Sequence, residues 1–269
     1  MKQKRKINIR LLILLLTVIV VFLIFIVCSL NSFDDENGLN DSSSDMINSD
    51  YTGLKDTVFN KQNKNGNLFN HKGETVNNVT DGNNWNLILV NPFNFLPDNF
   101  EVELSEFGSG HFVDKRICDD LSEMFDAAKE QGLCPIICSS YRTNEKQTQL
   151  YTARVQAYIE QGYSENQAQS EAAKWVAIPG TSEHETGLAV DIVSLNYQIL
   201  DKKQEETDEQ KWLMNNSYKY GFILRYPNNK SEITGISYEP WHYRYVGKVV
   251  AAEIFESGIC FEEYLDDAE

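Results

Sequence analysis

The segment SEHETGLAVD at residues 182–191 joins a turning loop to an apolar strand. Gly187 lies between His184 and Asp191, which suits a loop that turns and then enters a strand over residues 188–193. A single helix would present metal ligands at four-residue spacing, as in His-Glu-x-x-His. The stretch therefore predicts a loop and strand that bring both side chains around one metal ion.

A second motif, EPWH at residues 239–242, adds a histidine 51 positions after Asp191 and a carboxylate three positions before that histidine. Two imidazoles and one carboxylate fill three of the four tetrahedral positions of Zn²⁺ and leave one for water, whereas structural zinc sites usually have four Cys or His ligands. The motifs predict a catalytic zinc site with His184, Asp191 and His242 as ligands and Glu239 as the general base.

The chain has two further histidines. His71 lies in an Asn-rich polar stretch, and we expect it to be solvated. His111 follows Gly108-Ser109-Gly110 and is interpreted as a loop histidine without a catalytic role, although it could border the cleft.

The paired motifs, Ser-x-His-x-x-Gly-x-Ala-x-Asp at 182–191 and Glu-Pro-Trp-His-Tyr-Arg at 239–244, resemble those of the zinc D-alanyl-D-alanine peptidase family that includes VanX, VanY and VanXY. Within it, the chain is most similar to the VanY-like carboxypeptidases and their L,D-carboxypeptidase relatives, over residues 88–265. The resemblance implies the same three ligands and the same general base. It also implies an α+β fold, with a small mainly antiparallel sheet flanked by helices and the zinc site in a cleft on the sheet.

A third element, SSYRT at residues 139–143, follows a predicted buried strand at 133–138 and resembles the Ser-Gly-Tyr-Arg-Ser block of the family. The arginine of that block lies beside the zinc, so we expect Arg142 to stabilise the oxyanion of the reaction. Ser140 stands where glycine is common, which affects local loop geometry. Ser140, Tyr141, Gln147 and Ser182 are the predicted substrate-binding residues.

The first 84 residues do not have a globular pattern. Residues 1–10 are basic and predicted to be cytoplasmic, and residues 11–30 are apolar and predicted to be a transmembrane anchor, since 20 residues at about 1.5 Å each span a bilayer core of about 30 Å. The alternative is a cleaved signal peptide. Residues 31–84 are expected to be a flexible extracellular linker, and residues 85–269 the catalytic domain.

The net charge of −16 argues against a nucleic-acid partner, because phosphate binding requires clustered cations. Four cysteines lie outside the predicted anchor, at positions 118, 134, 138 and 260. An extracellular location permits disulfides, and buried thiols are the alternative.

Helical and extended patterns alternate along the domain without βαβ repetition. Helices are predicted around residues 117–128, 145–161, up to 176, 208–220 and 249–255, and strands at 133–138, 188–193 and 222–226. Residues 85–91 are a candidate first strand. Trp175, Trp212 and Tyr218 are interpreted as core residues. The segment between Arg142 and Ser182 could form a lid over the cleft or cover one sheet face.

Three functions fit these residues. The first is a D,D-carboxypeptidase that removes the terminal D-Ala from peptidoglycan pentapeptide stems, which would remove the ligand of glycopeptide antibiotics. The second is an L,D-carboxypeptidase that trims tetrapeptide stems. The third is a zinc-bearing wall-binding module without catalysis, against which the presence of both Glu239 and Arg142 argues.

Overall fold

A four-stranded sheet forms the centre of the protein. The computed structural model describes residues 84–267 except 98, together with the backbone of residues 68–69 and 75–76. In the central sheet, the strands are β5 (Pro135–Ser139), β6 (Ala189–Ser194), β7 (Phe222–Tyr226) and β8 (Glu239–Tyr245). Their order is β5-β6-β8-β7, and every neighbouring pair is antiparallel. The α+β class and the small antiparallel sheet predicted from the sequence are confirmed.

The two faces of this sheet are both covered but differ in chemistry. Side chains alternate between faces along a strand, so Val190 and Ile192 on β6 and Tyr243 on β8 join the main apolar core. Asp191 and His242 have the opposite parity and are also buried. One face of the sheet therefore carries the core, and the other carries Asp191 and His242.

Seven α-helices accompany the sheet in the described part of the chain. They are α1 (Cys118–Glu130), α2 (Asn144–Glu160), α3 (Glu165–Ala173), α4 (Asp208–Asn216), α5 (Ser231–Thr234), α6 (Lys248–Ser257) and α7 (Phe261–Asp267). The buried residues of α1 are Leu121, Met124, Phe125 and Ala128, a spacing that places them on one helical face. The helices predicted from periodicity agree with the structure within a few residues.

Several elements differ from the sequence predictions. Residues 85–91 form no strand: Trp85–Leu87 is a 3-10 helix, and Asn91 makes only an isolated bridge with Asn94. A hairpin of β3 (Leu104–Glu106) and β4 (Phe112–Asp114) and the helix α7 were not predicted. Both β3 and β4 have three residues, too few to show a clear alternation of apolar and polar side chains.

The membrane and linker predictions remain predictions. The cytoplasmic segment 1–10, the anchor 11–30 and His71 lie outside the described residues, as does most of the linker 31–84. Within that linker, β1 (Leu68–Phe69) pairs antiparallel with β2 (Thr75–Val76). In the part of the chain that is described, no helix combines the length and apolar character that a membrane crossing requires. All described residues belong to one compact unit, Val58–Glu269.

The four described cysteines are free thiols. Cys260 is buried, but Cys134 and Cys138 are exposed, so the interpretation of buried thiols is wrong for those two residues.

Candidate active site

Two neighbouring strands and one short helix bring the motif residues together. Asp191 on β6 and His242 on β8 are direct cross-strand partners, and such partners project from the same face of a sheet. His184 lies in the 3-10 helix Glu183–Thr186, which ends at Gly187 with a φ of 75°. A Cβ atom at Gly187 would lie 2.9 Å from the backbone nitrogen of Asp114, so both the turn and the packing require glycine.

The three predicted ligands form one buried group. Nε2 of His184 lies 3.3 Å from Oδ2 of Asp191, and Nδ1 of His242 lies 3.1 Å from Oδ1. One ligand atom from each residue lies within 4.8 Å of the others. The imidazole planes are inclined by 84° to each other, with centroids 4.9 Å apart. This spacing allows one small cation to contact all three side chains.

Hydrogen bonds outside the group determine which imidazole nitrogens would be free to bind a metal ion. Nδ1 of His184 donates to the backbone oxygen of Ser140 at 2.8 Å, which leaves Nε2 as a ligand. Nε2 of His242 lies 3.4 Å from Oε2 of Glu183, and a proton on Nε2 leaves Nδ1 as a ligand. Such partners of the non-ligating nitrogen orient histidines in metal sites.

An unpartnered oxygen of Asp191 shows that the ligand group fits a zinc ion. Oδ1 of Asp191 is buried and has no hydrogen-bond partner among the described residues. It faces Nδ1 of His242, which is also an acceptor when Nε2 holds the proton. Two facing lone pairs in a buried site need a proton or a metal ion between them, and a metal ion can take the place of the proton. Two nitrogens and one carboxylate are a ligand set of catalytic zinc, with one position left open.

Charge and burial determine the protonation of the ligands in the metal-free protein. Burial, assisted by Arg142, lowers the pKa of His184 to about 4. Burial alone would lower the pKa of His242, but Asp191 and Glu183 raise it to about 9. Burial opposes ionisation of Asp191, yet the two histidines hold its pKa well below the usual range. A zinc ion must therefore displace a proton from His242 at neutral pH.

Glu239 lies at the first position of β8, beside the metal-binding group. Its Oε2 atom is 3.7 Å from Nδ1 of His242, and the residue is 7% exposed. Burial raises the pKa of this carboxyl from 4.5 to about 8. A carboxyl group with a pKa near neutrality can both accept and donate a proton, which is what a general base must do in hydrolysis.

Arg142 lies against Asp191 from the loop after β5. Its guanidinium donates from Nη2 to Oδ2 of Asp191 at 3.0 Å, from Nη1 to Gln147 at 3.2 Å and from Nε to Ser139 at 2.9 Å. The side chain is 19% exposed and lines the cavity of the site. These three bonds use three of its five N–H groups, so Arg142 keeps donors for a bound molecule.

The four predicted substrate-binding residues occupy different environments. Ser182 lines the cavity. Gln147 is fully buried, accepts from Arg142 and donates to the backbone oxygen of Ala177 at 2.7 Å, so both ends of its amide are occupied. These contacts position Arg142, and Gln147 is not among the residues that line the cavity. A contact of Gln147 with substrate stays a prediction.

Ser140 and Tyr141 are not among the residues that line the cavity. The side-chain oxygen of Ser140 accepts from the backbone nitrogen of Phe112 at 3.1 Å and lies 3.4 Å from Nδ1 of His111. Its backbone oxygen holds His184. Ser140 therefore supports a ligand, and His111 lies outside the metal-binding group.

The cavity has a volume of about 420 Å³ and extends from the ligands to helix α2 and to residues 175–177, which follow α3. Leu150 and Arg154 of α2 line it, together with Trp175, Ile236 and Trp241. Trp175 is 37% exposed, so its interpretation as a core residue is wrong. The segment between Arg142 and Ser182 thus forms a wall of the cleft.

Sequence reasoning missed Glu183, which lies within the first motif. It is fully buried and accepts hydrogen bonds from Arg225 at 2.7 Å and from Arg244 at 2.8 Å. No spacing rule links three charged residues so far apart in the chain. The only available signal was an acidic residue directly beside a predicted ligand.

Comparison with known proteins identifies the family. Residues 110–248 match the sequence profile described as VanY, D-alanyl-D-alanine carboxypeptidase. A D-alanyl-D-alanine carboxypeptidase of Enterococcus faecalis (strain ATCC 700802 / V583) is 47% identical over 192 residues, which cover 71% of this chain and 70% of that protein.

Two solved structures are similar in fold as well as sequence. One is a mutant of the vancomycin-resistance D,D-pentapeptidase VanY from a VanB-type resistance cassette, in complex with Zn(II). It is 48% identical with a TM-score of 0.62, covering 67% of this chain and 99% of that chain. The other is the LD-carboxypeptidase LdcB, 39% identical with a TM-score of 0.58, covering 68% of this chain and 87% of that chain. From its sequence and its fold, the chain belongs to the VanY family of zinc D-alanyl-D-alanine carboxypeptidases.

Proposed function

We propose that this protein removes the C-terminal D-Ala from peptidoglycan pentapeptide stems. The observation that carries the proposal is the buried group of His184, Asp191 and His242, which opens into a cavity shared with Glu239 and Arg142. The Zn(II) complex of a related D,D-pentapeptidase supports the same metal and the same class of substrate.

Glu239 is the group that moves the proton. When bound, zinc polarises the scissile carbonyl and lowers the pKa of a nearby water. The carboxylate of Glu239 takes the proton from the attacking water and then gives it to the amine of the departing D-Ala. Its position 3.7 Å from Nδ1 of His242 keeps both transfers beside the ligand group.

Arg142 stabilises the charge that develops on the carbonyl oxygen. Its bonds to Asp191, Gln147 and Ser139 fix the guanidinium plane before substrate binds. A fixed cation stabilises this charge more than a mobile one does, because it need not reorganise during the reaction.

The rest of the stem peptide lies along the wall formed by α2 and the residues that follow α3. This wall presents apolar surface from Leu150 and Trp175 together with the cation of Arg154. The cavity therefore has contacts for residues that precede the scissile bond, which suits a carboxypeptidase acting on a longer peptide.

The alternative is an L,D-carboxypeptidase acting on tetrapeptide stems, which the similarity to LdcB favours. Incubating the full-length chain with synthetic pentapeptide and tetrapeptide stems, with and without a chelator, separates the two. We expect zinc-dependent release of D-Ala from the pentapeptide. Release from the tetrapeptide alone would establish the alternative.

A matched variant, Glu239→Gln, provides the control for contaminating peptidases. Zinc binding without release of D-Ala from either stem would contradict both hydrolase functions and favour a wall-binding module.

We further propose that residues 11–30 anchor the catalytic domain at the outer face of the cell membrane. The basic segment before this apolar run supports that orientation. Protease treatment of intact cells should remove the catalytic domain from the membrane fraction, whereas protection from protease would contradict the orientation. In that location, trimming pentapeptide stems would also reduce binding of glycopeptide antibiotics, measurable as a higher inhibitory concentration in a susceptible host.

A further inference from the structure

A buried chain of charges lies beside the metal-binding group on the same face of the sheet. It consists of Glu183, Arg225, Arg244 and Glu262, each at most 3% exposed. Two carboxylates and two guanidiniums balance in charge. Burying four charges is costly unless each is paired in a fixed geometry, so the position of every member is strongly determined.

The two carboxylate oxygens of Glu183 have different partners. Oε1 accepts from Arg225 at 2.7 Å and from Arg244 at 2.8 Å. Oε2 remains for Nε2 of His242, at 3.4 Å. The two arginines therefore determine where Glu183 meets the zinc ligand.

Glu262 in turn determines the position of Arg225. Its carboxylate takes a bidentate contact, with Oε2 at 2.8 Å from Nη1 and Oε1 at 2.6 Å from Nη2. Paired bonds of this kind fix the plane of a guanidinium as well as its place. The amide of Asn91 donates to Oε1 of Glu262 at 3.0 Å and secures it from the other side.

Glu262 and Asn91 lie outside residues 110–248, the segment that matches the family. Glu262 belongs to α7, 20 positions after His242 in the sequence. The contacts thus connect a helix near the end of the described chain to a ligand on the central strand.

We propose that Glu262 is a positioning residue for the zinc ligand His242, acting through Arg225 and Glu183. It holds Arg225 on Oε1 of Glu183, so that Oε2 keeps the proton on Nε2 of His242 and Nδ1 faces the metal. The inference rests on the zinc site and is independent of which stem peptide is hydrolysed.

Loss of the Glu262 charge should weaken metal binding. In Glu262→Gln the buried group changes from neutral to a net positive charge. Arg225 then has only Glu183 as an anionic partner and competes with His242 for its second oxygen. Mutation of a residue that directly contacts a metal ligand lowers metal affinity about 10–100-fold. Glu262 is more distant, so we expect its mutation to lower the affinity about tenfold.

The test compares Glu262→Gln with Glu263→Gln on the same helix. Glu263 pairs with Lys230 at 2.7 Å and is partly exposed, away from the buried charges. We expect Glu262→Gln to weaken zinc binding about tenfold in a chelator competition and to change the visible absorption of the Co²⁺-substituted protein. The control should do neither. A zinc dissociation constant within about twofold of the control, with an unchanged Co²⁺ spectrum, overturns the proposal.

A milder variant, Glu262→Asp, keeps the test decisive if Glu262→Gln does not fold. It retains the charge but is too short for the bidentate contact, so zinc binding should weaken by about threefold. Lower thermal stability of the metal-free variants, with wild-type zinc affinity and spectrum, would show a purely structural role and overturn the proposal. A wild-type protein that binds zinc but releases no D-Ala would contradict the proposed function alone.

Discussion

Replacing Glu239 by glutamine should abolish activity and stabilise the metal-free protein at the same time. The amide has nearly the shape of the carboxyl group but cannot accept a proton at neutral pH. Loss of a general base costs about 10²–10⁴ in rate. Zinc should still bind, because Glu239 is not one of the three grouped ligand residues.

The gain in stability follows from the pKa of Glu239. Burial raises it from 4.5 to about 8 in the folded protein. The protonated form is therefore favoured by folding, and the stability that it contributes is complete below pH 4.5 and falls as the pH rises toward 8. At 1.36 kcal/mol per pH unit, the wild-type protein has lost about 3 kcal/mol by pH 7. Glutamine does not titrate and does not suffer this loss.

The assay is urea unfolding of the metal-free proteins at pH 4.5 and pH 7.5, together with D-Ala release from a pentapeptide stem by the zinc-loaded proteins. Glu239→Gln should exceed the wild type in stability by about 4 kcal/mol at the higher pH and by little at the lower pH. Glu263→Gln is the control for a carboxyl-to-amide change and should show no such gain. Equal stability at pH 7.5 would refute the burial argument, and full activity would refute the role as base.

Three further predictions concern the ligands and Arg142. Arg142→Ala should retain zinc, measured by metal analysis, and lose about 10²–10³ in kcat, the usual effect of removing an oxyanion donor; a change confined to KM would contradict this role. His184→Ala should lose stoichiometric zinc together with activity, and a variant that keeps both would remove His184 from the ligand set. Zinc binding at pH 7 should release at least one proton, because the pKa of His242 is about 9 in the metal-free protein. Calorimetry in buffers of different ionisation enthalpy measures that release, and zero release would contradict the assignment.

The parts of the fold that the sequence predicted depend on local patterns. The apolar run before and after Asp191 indicated β6, and the helical spacing of Leu121, Phe125 and Ala128 indicated α1. The ligands could be predicted because each motif contains the residue types that zinc requires. Their cross-strand pairing could not be read directly, since register depends on contacts between distant segments.

The sequence was least informative where a side chain's role depends on distant partners. Gln147 lies five positions after Arg142 and is a predicted substrate contact, and the sequence did not show that helix α2 directs its amide toward Arg142 and the backbone of Ala177. Trp175 is aromatic and was expected in the core, but it follows α3 at the edge of the cleft. In both cases the residue type indicated a role near the site or the core, but the sequence did not show where the side chain points.

The site combines two kinds of constraint that act on different atoms of the same histidine. Pairing of β6 with β8 sets the position of the His242 backbone opposite Asp191, but it leaves the ring free to rotate. Glu183, held by two arginines, restrains that rotation through Nε2. The β-sheet sets the position of the ligand backbone, and the buried charges set the orientation of its ring. The polar face of the sheet must therefore be as well packed as the apolar one. This requirement explains why large charged side chains, Arg225 and Arg244, are fully buried in a domain of this size.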